Sequence, residues 1–209
     1  MSIKVAVVDY GLGNLHSVET ALVHLGVQVI VAKNGAQLEK ADKILLPGVG
    51  AFRDGMEGLH RGGHIEPLKA AAAAGTPLLG ICLGAQLMLS RSEEFGHTEG
   101  LGLIPGRVVK IPSEGVKVPH VGWARLESVL TQTWKTCPLM NTPEGTWVYF
   151  VHSFHMLPES AEDVIATAHH GTHKLTACVG KGNVTGFQFH PEKSGTWGIH
   201  MLRNFVFED

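Results

Sequence analysis

Charge is scarce in this sequence, and neither sign prevails. Lys and Arg number 17 and Asp and Glu 19, for a formal net charge of −2. With no basic surplus and no Lys/Arg-rich run, binding to nucleic acid or to an anionic membrane surface is not expected. Long hydrophobic runs are missing too. The longest mostly apolar stretch, Leu78 to Leu89, is interrupted by Gly80, Gly84 and Gln86. It falls short of the roughly 18 residues that a bilayer-spanning helix needs. The first residues lack the basic start, apolar core and small-residue cleavage site of a signal peptide. Cysteine is sparse. Cys82, Cys137 and Cys178 form an odd set without a CxxC pair, which argues against a disulfide framework and fits a reducing cytoplasm. His169-His170-Gly171-Thr172-His173 has no paired cysteines or acidic neighbours and reads as a solvated turn, not a metal site. Gly11-Leu12-Gly13 lacks the third glycine of a dinucleotide fingerprint, with His16 in its place. Trp134 and Trp147 read as packing residues, since nothing basic surrounds them for stacking nucleic acid. No metal or organic cofactor is expected.

What is present is a chain for a packed core. Of 209 residues, 44% are hydrophobic, and the length suits one domain spanning 1–209. Strand and helix signals alternate through the first half. Residues 3–9, 27–32, 43–46 and 77–81 read as buried strands, with Pro47-Gly48 stopping the third. Helical spacing covers 14–25, with Asn14 as a possible cap, then 51–60, 64–74 and Leu83–Arg91. This alternation predicts an α/β fold, an open and mostly parallel sheet flanked by helices. From about residue 100 the pattern changes to short runs at 106–111, 117–123, 146–151, 163–168, 175–180 and 184–189, so a more antiparallel, β-rich second half is expected. Trp197–Phe207 returns to helical spacing.

The strongest local signal is Gly80-Ile81-Cys82-Leu83-Gly84, a G-x-nucleophile-x-G pattern between an apolar strand and a helix. The glycines permit a sharp turn that projects Cys82 before a helix N-terminus, where a thiolate is favoured. The N–H of Leu83 points where an oxyanion would form. A cysteine nucleophile needs a base, and the base needs an orienting group. Gly186-Phe187-Gln188-Phe189-His190-Pro191-Glu192 offers both, with His190 at a strand end and Glu192 two residues on. Pro47-Gly48-Val49-Gly50 lies at the C-terminal end of the third strand, where open parallel sheets bind ligands, and Val49 N–H is a second candidate oxyanion donor.

These three segments, Gly-Ile-Cys-Leu-Gly-Ala-Gln at 80–86, Pro-Gly-Val-Gly at 47–50 and Phe-Gln-Phe-His-Pro-Glu-Lys-Ser at 187–194, resemble the class I glutamine amidotransferases. Asp9-Tyr10-Gly11-Leu12-Gly13-Asn14-Leu15, Pro119-His120-Val121-Gly122-Trp123 and Tyr149-Phe150-Val151-His152-Ser153 are similar to one branch, the glutaminase subunit of imidazole glycerol phosphate synthase. The resemblance runs from about residue 3 to the C-terminal helix. It implies the family's flavodoxin-like fold and a triad of Cys82, His190 and Glu192. It implies that L-glutamine is held by Gln86, Glu94 and the backbone around His152 and Ser153, with Val49 and Gly50 in the oxyanion strand. Trp123, Tyr149 and Lys193 match positions that face a partner, a (β/α)₈-barrel cyclase subunit, in a heterodimer. Three positions depart from the family's usual residues: Ala124 for Asn, Val121 for Met, and Phe154-His155 where tyrosine is frequent.

The expected activity is hydrolysis of glutamine through a cysteinyl thioester, with ammonia passed to the cyclase. A peptide flip at Gly48-Val49 would hold back wasteful hydrolysis until the partner is loaded. Two rival readings stand beside it: a paralogue supplying ammonia to another synthase, and a non-catalytic scaffold subunit.

Overall fold

The computed structural model describes residues 3–129 and 134–208. Five strands, β1 (Lys4–Val8), β2 (Gln28–Ala32), β3 (Lys43–Gly48), β4 (Leu78–Cys82) and the late β14 (Val184–Phe187), form the parallel part of an eight-stranded sheet. Antiparallel strands β13 (His173–Lys181), β12 (Val164–His170) and β9 (Glu127–Ser128) complete it, in the order β2-β1-β3-β4-β14-β13-β12-β9. Both faces are covered. Val5 and Val7 of β1 join one apolar cluster, together with residues of α1 (Leu15–His24) and α5 (Gly195–Phe207). Ala6 and Val8 join the opposite cluster, with residues of α2 (Phe52–Arg61), α3 (Ile65–Ala73) and α4 (Leu83–Leu87). Burial on both faces explains why these strands read as continuous apolar runs.

The second half adds two smaller sheets. Strand β8 (His120–Arg125) pairs antiparallel with β10 (Trp147–His152). The other sheet has the order β11 (Phe154–Pro158), β7 (Ile104–Lys110), β5 (Leu89–Ser92), β6 (Thr98–Glu99). Among the described residues no helix is long and apolar enough to cross a membrane.

Four local expectations are corrected. The third strand does not stop before Pro47 but runs to Gly48. The β1 ladder ends at Val7 opposite Leu45, so the N–H that Pro47 lacks has no neighbour to serve on that side, while pairing with β4 continues to Cys82. The helix expected over Leu83–Arg91 ends at Leu87, because the next residues are drawn into β5, pairing parallel with β7 and antiparallel with β6. So short a helix offers little macrodipole to Cys82. Asn14 makes no side-chain capping bond. The histidine turn is indeed the β12–β13 hairpin, but two of its rings are tied down rather than merely solvated: His170 Nε2 lies 2.8 Å from Lys117 O and His173 Nε2 2.8 Å from Glu114 O.

Gly84 is required by proximity. A Cβ there would fall 1.8 Å from Leu46 O, backbone that cannot step aside without breaking the β3–β4 pairing. Gly84→Ala is expected to destabilise the fold by about 3 kcal/mol or more, read by urea unfolding. A cost below about 1 kcal/mol would contradict so close an approach.

Candidate active site

Cys82 ends β4 with φ +53° and ψ −110°, a backbone conformation that a side-chain-bearing residue rarely adopts. This is the sharp corner that the flanking glycines anticipate. Its sulfur faces a cavity of about 350 Å³ lined by Val49, Gly50, Leu83, Gln86, Glu94, Pro119 and the segment Val151 to Phe154. The structure therefore gathers the expected oxyanion residues Val49, Gly50 and Leu83 and the expected substrate residues Gln86, Glu94, His152 and Ser153 around one opening.

The base arrives from more than a hundred residues away because β14 lies parallel beside β4, with Phe187 opposite Ile81. Phe187 and Phe189 stack in the core with centroids 4.6 Å apart, and the alternate residues Gln188 and His190 turn toward Cys82. His190 Nδ1–H donates to Glu192 Oε1 at 2.8 Å, and both side chains are almost wholly buried. Nδ1 is thereby occupied. Nε2, buried and without a close hydrogen-bond partner, is left for the Cys82 sulfur. Burial alone would lower a histidine pKa. The neighbouring Cys82 and Glu192 outweigh it and raise His190 to about 9. The turn is clasped by Ser194, whose Oγ–H donates to His190 O at 2.6 Å and accepts from Tyr149 N–H at 3.0 Å.

Glu94 is held by the helix it faces. Its Oε2 accepts the Phe52 N–H at 2.7 Å at the start of α2, where a carboxylate is favoured. Gln86 Nε2 donates to Phe154 O at 2.9 Å and to Gln188 Oε1 at 3.0 Å. Both of its N–H groups are used, so only its carbonyl oxygen remains for a donor on a bound molecule. The strand end that leads into Val49 is fixed from behind. Tyr10 O–H donates to Pro47 O at 2.8 Å, and burial pushes its phenol pKa far above the ordinary value, so the donor is always present. A Cβ on Gly48 would strike that hydroxyl at 2.2 Å, so Gly48 is required for fit as well as for freedom.

The wall of the cavity rests on a group of histidines, of which only His152 was expected at the site. His120 stacks on His170 at 4.2 Å, and its Nδ1 lies 3.3 Å from His152 Nε2. His152 Nδ1–H donates to Phe154 O at 2.8 Å. Burial lowers His120 to about 4 and His152 to about 3, with neighbouring histidines adding to the shift. Unfolding lets these rings take up protons at their ordinary pKa. The stability tied to their neutral forms is whole above pH 6.5 and is lost as pH falls toward 3. His120→Gln, which keeps a donor for His152 but cannot charge, is expected to flatten the fall in melting temperature between pH 6.5 and 4. Parallel slopes for the two proteins would refute this.

The expected partner-facing residues lie outside the cavity. Tyr149 and Trp123 are cross-strand partners on β10 and β8 with ring centroids 5.9 Å apart, and Lys193 is exposed on the turn after His190. Ala124, by contrast, does not share that face. It alternates to the buried side of β8 and packs in the core, so the departure there does not alter the exposed face. Val121 is exposed, and Phe154 lines the cavity. Of the tryptophans expected to pack, Trp134 is half-buried, its Nε1–H donating to Ile165 O at 3.1 Å. Trp147 is exposed under the Arg125 guanidinium, because its position alternates to the outer face of β10. Gln188 and Ser194 were missed as well. For Gln188 the signal was present in the alternation that puts it on the same side as His190.

The chain is similar to known proteins along nearly its whole length. The chain is 44% identical over 209 residues, covering 97% of it and 98% of the relative, to imidazole glycerol phosphate synthase subunit HisH 1 of Legionella pneumophila (strain Lens). It is 45% identical over 207 residues to the HisH subunit of Geobacillus thermodenitrificans (strain NG80-2), covering 97% of this chain and 94% of that one. A crystal structure of a glutamine amidotransferase superposes with a TM-score of 0.74 at 19% identity, covering 96% of each chain. PurLQS from Thermotoga maritima gives 0.74 at 20% identity, covering 99% and 98%. At such identities these two speak for the fold alone. A sequence model of the family described as glutamine amidotransferase class-I matches residues 6–208. A match over nearly the whole chain, with close relatives of the same length, places this protein in the class I glutamine amidotransferase family.

Proposed function

We propose that this chain is the glutaminase subunit of an imidazole glycerol phosphate synthase, acting as one domain in the cytoplasm. The observation that carries the reading is Cys82 on a strained strand end, facing a cavity on one side and the His190–Glu192 pair on the other. L-Glutamine enters the cavity with its α-amino group toward Glu94 and a donor toward Gln86 Oε1. His190 takes the thiol proton, and the Cys82 sulfur attacks the amide carbon. The N–H groups of Leu83 and Val49 receive the negative oxygen. His190 returns the proton to the departing nitrogen, ammonia leaves, and a γ-glutamyl thioester remains. Water, deprotonated by His190, then releases glutamate and restores the thiol.

Ammonia released into water is protonated and ceases to be a nucleophile, so it must pass directly to a second enzyme. A face suited to that enzyme lies beside the site. The pairs Val121–Val151, Trp123–Tyr149 and Arg125–Trp147 all lie on the outer side of the β8–β10 ribbon. Val121, Trp123 and Trp147 are each at least half exposed, an apolar strip of the kind that marks a protein interface. The relatives' names specify a partner, which on this reading is a (β/α)₈-barrel cyclase subunit. It would use ammonia to make imidazole glycerol phosphate and an aminoimidazole carboxamide ribonucleotide in histidine biosynthesis.

Co-expression with such a cyclase is expected to give a heterodimer that converts the ribonucleotide precursor with glutamine as nitrogen donor. The lone chain should release glutamate slowly. If a Val49 peptide flip supplies one oxyanion donor, the ligand-loaded partner should raise that rate roughly 10²–10³-fold. Equal rates with and without the partner would remove the gating. Failure to restore growth of a histidine auxotroph by the pair would favour a paralogue serving another synthase.

A further inference from the structure

We propose that Gln188 is a further catalytic residue, whose side-chain N–H donates to the Cys82 sulfur and favours its anion. The inference rests on the reading of Cys82 as nucleophile. Gln188 is fully buried, and its Nε2 lies 3.8 Å from Cys82 Sγ, within reach of a long N–H···S bond. Its backbone is fixed by an N–H donated to Ala177 O at 2.9 Å, which extends the sheet past the end of β14.

The direction of the amide follows from the chemistry around it. Phe154 O is a backbone carbonyl and can only accept, so the group of Gln86 that meets it must be the NH₂. The same nitrogen is 3.0 Å from the Gln188 side chain, which must present its oxygen there. The Gln188 NH₂ is then the end left for the sulfur. A main-chain carbonyl on the cavity wall thus sets the polarity of a relay that ends at the reacting atom: Phe154 O, Gln86, Gln188, Cys82.

The other neighbour of the sulfur has the opposite preference. Val151 O lies 3.9 Å from Sγ and suits the neutral thiol, which can donate to it. A sulfur anion can only accept, so on loss of the proton to His190 the contact with Val151 O turns unfavourable while the contact with Gln188 strengthens. An amide does not titrate, so this donor is present at every working pH.

The test is alkylation of Cys82 by iodoacetamide in the folded full-length chain, with peptide mass mapping to separate it from Cys137 and Cys178. Two variants are compared with the parent. Gln188→Glu keeps an oxygen for Gln86 but loses the amide donor, and Gln188→Met loses both. Each is expected to slow Cys82 alkylation at pH 7 by about tenfold, the size of a lost hydrogen bond to a charged group. The deficit should close as the pH is raised and the anion forms without help. In the glutaminase assay kcat should fall in step, with KM for glutamine within about twofold of the parent. Melting curves verify folding, and if Gln188→Met does not fold, Gln188→Glu carries the test. A folded variant that alkylates at the parental rate at pH 7 overturns the inference. So does a deficit that persists unchanged at high pH, which would mean a displaced sulfur. If the parent alkylates in this Gln188-dependent way yet releases no glutamate, the inference stands and the glutaminase reading falls.

Discussion

Cys82→Ala is expected to abolish glutamate release, by about 10⁴-fold or more, while the protein still folds. Neither of the other cysteines can replace the sulfur. Cys137 and Cys178 do not line the cavity, and Cys178 is fully buried, with burial pushing its thiol pKa well up. The measurement is glutamate production with the ligand-loaded partner present, so that weak basal turnover does not mask the loss. A variant retaining more than about a hundredth of the parental rate would exclude covalent catalysis by this residue. A second substitution reads the strain at the corner. Cys82→Gly and Cys82→Ala both lack the sulfur, but only glycine is at ease at φ +53°. Backbone strain of this kind costs about 1–3 kcal/mol. Glycine in turn costs about 0.4–1 kcal/mol through the freer unfolded chain. The inactive glycine variant is therefore expected to be more stable than the alanine variant by about 1 kcal/mol. Such a gain on losing function is what a corner shaped for reactivity rather than stability would give.

Glu192→Gln should lower kcat by about 10²–10⁴-fold with little change in KM for glutamine. The carboxylate accepts the Nδ1–H of His190 at 2.8 Å, which fixes the ring so that Nε2 serves the sulfur, and its charge favours imidazolium. An amide of the same shape keeps a contact but supplies no charge, and its NH₂ can select the wrong tautomer. The substitution also has a signature in stability. The folded pKa of His190, about 9, lies above the ordinary 6.5, so the folded state binds this proton more tightly than the unfolded state. The stabilisation is fully present below pH 6.5 and is lost as pH rises through about 9. Removing the Glu192 charge lowers the His190 pKa. The decline in melting temperature of the parent between pH 6.5 and 9 should therefore be shallower in Glu192→Gln. Identical pH profiles for the two proteins would show that the pair is not coupled as the geometry indicates. The effect on rate separates this residue from Cys82: one abolishes the chemistry, the other slows it.

Much of the catalytic chemistry was legible in order along the chain. The corner at Cys82 is a local device, a strand, two glycines and a helix start, and each part is visible in five residues. The His190-Pro191-Glu192 turn is equally local. A proline turn two residues long brings a carboxylate back to its own imidazole whatever the rest of the fold does. The parallel strands of the first half were readable because burial on both faces enforces apolar runs. Strand β5 was not readable. Leu89–Ser92 follows a helix without a break, and its pairing with β7 depends on residues that the chain supplies later. The two-residue strands β6 and β9 were hidden for the same reason, since a ladder of few residues takes its stability from a neighbour and leaves little periodicity of its own.

By itself, then, the sequence determined the α/β class and the family, and it singled out Cys82, His190 and Glu192 as the proposed nucleophile, base and orienting carboxylate. These depend on residue chemistry and on turns short enough to be closed by local geometry. Tertiary structure alone decided which groups meet. It laid β14 beside β4 and so carried His190 and Gln188 to Cys82 across more than a hundred residues. It turned Ala124 inward and left Trp123 and Trp147 outward, and it stacked His120 on His170 under the cavity wall. Contacts of that range are set by how two apolar sheet faces are covered. The burial driving this is non-directional, so it acts through the total area removed from water and leaves no mark on any short stretch of chain.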